Sequence, residues 1–99
     1  MIHITITTTP TTQELEIVGH SNIGEEPCAR VTSAFEMLAN LLYTDRDQLE
    51  QRWGYSLLVT TITNENKEQL KMAQAYFNHL QVYYQKTIQI ENKGVQNYE

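Results

Sequence analysis

VGHSNIGEEPCARVTSAFEMLANLL, residues 18–42, changes character halfway along its length. Its opening residues close a run of alternating apolar and polar side chains, and its middle is polar. From Pro27 onward, apolar groups recur at Val31, Ala34, Phe35, Leu38, Leu41 and Leu42. Spacings of three and four place these on one face of a helix over about 27–43, with Arg30, Glu36 and Asn40 on the other. Proline suits the first helical turn, because the amide it lacks would have had no partner there. A strand end, a loop and an amphipathic helix therefore follow one another.

Upstream, Ile2, Ile4 and Ile6 alternate with His3, Thr5 and Thr7, the two-residue period of a half-buried strand that turns His3 outward. The run Thr8-Thr9-Pro10-Thr11-Thr12 reads as a turn. A second strand follows, with Leu15 and Ile17 on one face and Glu14, Glu16 and Val18 on the other, so the two strands pair as an antiparallel hairpin. Gly19 then permits a turn or a close backbone approach. His20 leaves the strand on the side away from Leu15 and Ile17.

Downstream, Asp45 and Gln48 resemble a capping pattern, which predicts a short helical turn reaching Trp53 and closed by Gly54, with Trp53 in the packing. Residues 55–62 form a third strand with apolar groups on both faces, central or covered on both sides. Asn64 reads as the N-cap of a second helix carrying Leu70, Ala73, Phe77, Leu80 and Tyr84 on its buried face. His79 lies off that stripe, and Tyr76, Tyr83 and Tyr84 read as core and margin. A last strand spans 87–91. The expected fold is a small α/β (α+β) domain of order β-β-α-β-α-β, with two helices and a mostly antiparallel sheet of about four strands. It forms one domain over 1–99, with a folded core over 1–92 and a frayed tail over 93–99.

Composition narrows the function. Ninety-nine residues with 40% hydrophobic content suffice for one core. A net charge of −5 argues against direct nucleic-acid binding and suits a basic protein or peptide partner. The N-terminus lacks a basic region followed by a long apolar run, and no membrane-length apolar segment occurs, so the expectation is a cytoplasmic protein without membrane association. One cysteine and three histidines do not make a zinc-ligand pattern, so no metal or cofactor is expected.

The single cysteine, Cys28, falls at the head of the first helix. A thiol acts as a nucleophile when a positive field favours its thiolate, and the unpaired amides of a helix's first turn supply such a field. His20 lies eight residues earlier, close enough in the chain for the loop to fold imidazole onto sulfur, the pairing used in nucleophilic catalysis. A carboxylate at Glu25 or Glu26 would favour catalysis beside the histidine and oppose it beside the sulfur. Cys28 also stands in phase with Val31, Phe35, Leu38 and Leu42, and a lone cysteine on such a stripe is most often a small buried hydrophobe.

Gly19-His20-Ser21 after a strand, then Cys28-Ala29-x-Val31 heading a helix, resembles the signature of the ribosomal-processing cysteine protease family, the small Prp or YsxB-like proteins. The resemblance extends to the order of elements along nearly the whole chain. It implies a peptidase that removes an N-terminal extension from a large-subunit ribosomal protein, with His20 as base and Cys28 as nucleophile. It also implies a homodimer. Gly19, Ser21, Glu25, Thr32 and Ser33 would support the site, with main-chain amides near Cys28 as an oxyanion site. Thr32 stands where the family usually has serine, Glu25 where it often has aspartate, and the loop between His20 and Cys28 is shorter than usual. These departures fit a divergent or phage-type member acting on a capsid or scaffold protein. They fit equally a non-catalytic interaction module that keeps the fold.

Overall fold

The computed structural model describes residues 1–19 and 26–94. Two strands, β1 (Ile2–Thr8) and β2 (Thr12–Gly19), form the expected hairpin, with Ile4 opposite Ile17 and Ile6 opposite Leu15. Its turn is held by the Thr9 hydroxyl, which accepts the Thr12 amide at 2.9 Å. Helix α1 (Glu26–Leu41) follows, then β3 (Arg46–Arg52), β4 (Tyr55–Thr61), α2 (Lys67–Tyr83) and β5 (Ile88–Gly94).

The strands make one sheet in the order β3-β4-β2-β1-β5, antiparallel throughout except for the β1–β5 pair. Both helices pack on the face that presents Ile2, Ile4, Ile6, Leu15, Ile17, Leu58 and Ile88, and Phe35 and Phe77 fill the space between helix and sheet. β4 is interior, as its apolar run predicts. Leu58 joins this core, while Leu57, on the opposite face, is also buried.

Residues 46–52 form a fifth strand where the sequence predicts a helical turn. β3 is an edge strand with almost every side chain exposed, so it carries no apolar period to announce it. What holds it is the β4 ladder together with specific polar contacts: Arg46 donates to the Ala39 carbonyl at 3.1 Å, near the C-terminus of α1, and Gln51 donates to Glu36 at 3.2 Å.

Three further expectations shift. Leu41 is 55% exposed, and Ala39 takes its place in the core. The residue at the start of α2 is Asn66 rather than Asn64. Asn66 is buried, accepts the Thr63 amide and donates to Asp45 and to the Thr61 carbonyl, which fastens the end of β4 to the helix. β5 runs on to Gly94, past the expected end at residue 91, and the rest of the proposed frayed tail, residues 95–99, lies outside the described residues. Among the described residues no helix is long and apolar enough to cross a membrane.

Candidate active site

β2 ends at Gly19, where φ is +98° and where a Cβ would run into the Met1 carbonyl oxygen, so the close approach anticipated there requires glycine. Cys28 is the third residue of α1, half-buried and packed against the edge of the core. The first four amide positions of a helix have no intrahelical partners and carry a partial positive charge, so the sulfur stands where negative charge and a developing oxyanion are favoured.

Gly19, Cys28 and Thr32 share a cleft of about 260 Å³ with the β3–β4 hairpin, whose Arg52, Trp53 and Tyr55 also line it. The hairpin's turn consists of Trp53 and Gly54, since Arg52 already pairs with Tyr55 and Gly54 takes φ +76°. Ser33 opens instead onto a separate groove beside Arg30, Met37 and Tyr76. His20, Ser21 and Glu25 lie outside the described residues.

Trp53 corrects the packing expectation, because it is 84% exposed. Its place in the cleft follows from the hairpin, which the sequence reading missed. The available signal was Trp53-Gly54 standing between a polar segment and an apolar strand, which fits a two-residue turn as well as a helix end.

A polar strap ties the first turn of α1 to the end of α2. The Tyr84 hydroxyl donates to Glu26 Oε1 at 2.6 Å, and Arg30 Nε donates to the same oxygen at 3.1 Å. The Tyr84 hydrogen bond, followed by Arg30, lowers the Glu26 pKa below its ordinary 4.5. The same bond, followed by desolvation, raises that of Tyr84 above its ordinary 10.0. A lowered carboxylate contributes stability above its unfolded pKa and loses it as pH falls through the folded value. A raised phenol contributes below its unfolded pKa and loses it as pH rises through the folded one. Tyr84→Phe is expected to return the Glu26 carboxyl upward toward 4.5 in an NMR titration; an unmoved midpoint would show that Arg30 alone sets it.

Sheet order and helix placement together define a small two-layer α/β fold, and solved structures of a ribosomal processing protease share it. Over 94% of its length the chain matches the crystal structure of the essential ribosomal processing protease Prp from S. aureus with a covalently linked product peptide. The TM-score is 0.80 and the identity 17%, and all of that chain is covered. The same protease with a substrate peptide matches at TM-score 0.76 and 17% identity, with the same coverage of both chains. A Streptococcus mutans protein matches at 0.71 and 20% identity, covering 96% of each chain. Neither a protein-family profile nor a curated protein matches the sequence. The likeness of fold agrees with the resemblance drawn from Gly19-His20-Ser21 and Cys28-Ala29-x-Val31.

Proposed function

We propose that this chain is a Prp-like cysteine endopeptidase that removes an N-terminal extension from a specific protein substrate. Cys28 sulfur attacks the scissile carbonyl carbon, and the amides of the first turn of α1 receive the oxyanion. His20 takes the thiol proton and returns it to the leaving amine as the C–N bond breaks. Water then hydrolyses the thioester and frees Cys28. Ser21, Glu25 and Thr32 support the pair, Thr32 from within the cleft itself, whereas Ser33 lines the separate groove beside Arg30 and Tyr76. The observation that carries this reading is the opening of Cys28, at a helix N-terminus, onto a cleft beside the end of β2, in the fold of a protease that holds a product peptide covalently.

The substrate is a basic large-subunit ribosomal protein or a phage capsid or scaffold protein, and the enzyme works as a cytoplasmic homodimer. Exposed Met37, Leu41 and Met72 on the helical layer support self-association. The second reading, a non-catalytic interaction module, draws support from the short span between His20 and Cys28 and from the half-buried thiol.

The test incubates the purified chain with candidate proteins of both kinds, each carrying its N-terminal extension, and follows their masses. A discrete shortened product, with a transient thioester adduct on Cys28, is the expected result. Stable binding of an uncut candidate would instead establish the interaction module.

A further inference from the structure

Arg30 and Tyr84 both donate to Glu26 Oε1, at 3.1 and 2.6 Å, yet only one of them bonds α1 to another element. Arg30 sits one turn further along the same helix and travels with it. Tyr84 is 58 residues away in the chain, at the end of α2, and so short a hydrogen bond from a hydroxyl to a carboxylate is of the strong, charge-assisted kind. The phenol is mounted on a fixed base. The Tyr84 amide donates to the Leu80 carbonyl at 2.8 Å, and the Tyr84 carbonyl accepts the Thr87 and Ile88 amides at 2.8 and 2.9 Å, which ties the residue to the last turn of α2 and the start of β5. Leu80 and Ile88 belong to the core, and the Tyr84 ring packs against it.

Tyr84 grips the first residue of α1; next comes Pro27, buried and with its φ fixed by the ring, and then Cys28. A displacement of Glu26 therefore passes to the Cys28 backbone. Side chains two residues apart point about 200° apart around a helix, so Glu26 and Cys28 face opposite ways. Glu26 lines the groove it shares with Arg30, Ser33 and Tyr76, while Cys28 lines the cleft it shares with Gly19 and Thr32. Tyr84 thus acts on the first turn from behind.

We propose that Tyr84 is a positioning residue: through Glu26 and Pro27 it holds the first turn of α1 where its amides receive the oxyanion formed at Cys28. The proposal rests on the peptidase reading of Cys28. Helix ends fray, and oxyanion donors stabilise most when they are fixed before the charge develops.

The test compares two reactions of Cys28, each read by the mass of its adduct, with Cys28→Ala as background. In acetylation by p-nitrophenyl acetate, sulfur attacks the carbonyl carbon, a C–S bond and an oxyanion form, and the C–O bond then breaks as p-nitrophenolate leaves with the bonding electrons. In alkylation by iodoacetamide, a C–S bond forms as C–I breaks, iodide leaves with the bonding electrons, and no oxyanion arises. The thiol proton passes to solvent in both. Tyr84→Phe keeps the ring and should slow acetylation about tenfold, within the roughly hundredfold that a misplacement of about 1 Å costs, while alkylation changes by less than about twofold. Glu26→Ala should slow acetylation as much, and Tyr84→Phe should add little in that background, because residues acting through one contact are not additive. Glu26→Gln, whose amide oxygen accepts the same hydroxyl, should keep most of the rate. Unchanged acetylation in Tyr84→Phe, equal slowing of both reactions, or a full effect of Tyr84→Phe in the Glu26→Ala background overturns the proposal.

Hydrogen exchange of the Arg30 amide, the first to close onto the Glu26 carbonyl, reports the turn itself and should quicken in Tyr84→Phe. If wild-type Cys28 is acetylated no faster than N-acetylcysteinamide while that exchange still quickens, the hold of Tyr84 on the turn stands and the peptidase reading falls.

Discussion

Cys28→Ala is expected to lower the rate of substrate cleavage by about four to six orders of magnitude, the loss that follows removal of a covalent nucleophile. The chemistry requires this size of effect, because without sulfur there is no thioester and water must attack the amide directly. His20→Ala should cost nearly as much, and the double variant little more than either alone, since groups that act as one unit are far from additive. Both rates are read by the mass of the shortened substrate under single-turnover conditions. Folding does not confuse the comparison. Cys28 is half-buried at the edge of the core, so trading its sulfur for hydrogen should change stability by under about 1 kcal/mol. That corresponds to at most ~4–8 °C in Tm for a domain of this length. Wild-type cleavage by Cys28→Ala would end the peptidase reading, whereas undiminished binding with no cleavage by either protein would favour the interaction module.

Residue periodicity reveals the elements that bury a face and misses the one that does not. Ile2, Ile4 and Ile6 announce β1, and Val31, Phe35 and Leu38 announce α1, because the same spacing that places them on one face places them in the core. β3, Arg-Asp-Gln-Leu-Glu-Gln-Arg, carries no such period: an edge strand with exposed faces is specified by its partner's ladder and by distant polar contacts, neither of which is local in sequence. That one misreading moved Trp53 from the cleft wall into the packing. For the site, residue type and position at the head of a helix picked out Cys28, Gly19 followed from its position after a strand, and Thr32 entered only through the resemblance to the Prp family. The part of the cleft lined by the hairpin depends on the β3–β4 pairing, so it became visible only with the sheet assembled.

Gly19→Ala is expected to be among the most destabilising single-methyl changes in the chain, and comparison with Gly54→Ala separates the two causes. Both glycines have positive φ, +98° and +76°, so any L-residue at either position pays the left-handed strain of roughly 1–2 kcal/mol. Among the described residues a Cβ at Gly54 meets nothing within 4 Å, so the strain sets the effect there. At Gly19 the Cβ would overlap the Met1 carbonyl oxygen, a backbone atom that cannot rotate aside. Relief therefore requires β1 and β2 to part where Ile2 faces Gly19, and Ile2 is 1% exposed within the core. The added loss should bring Gly19→Ala to about 3 kcal/mol or more, within the usual range of damaging core mutations. With ~4–8 °C per kcal/mol for a domain of this length, Tm should fall by roughly 12–24 °C, against a fall of roughly 4–16 °C for Gly54→Ala. Equal shifts in the two variants would show that the strand ends have room to part, and that conformational strain alone makes glycine necessary at the end of β2. Unequal shifts in the expected order would tie the cleft's geometry to the β1–β2 pairing. Gly19 also holds the Trp53-Gly54 turn through its amide, so its displacement would move the hairpin residues that line the cleft with Cys28 as well.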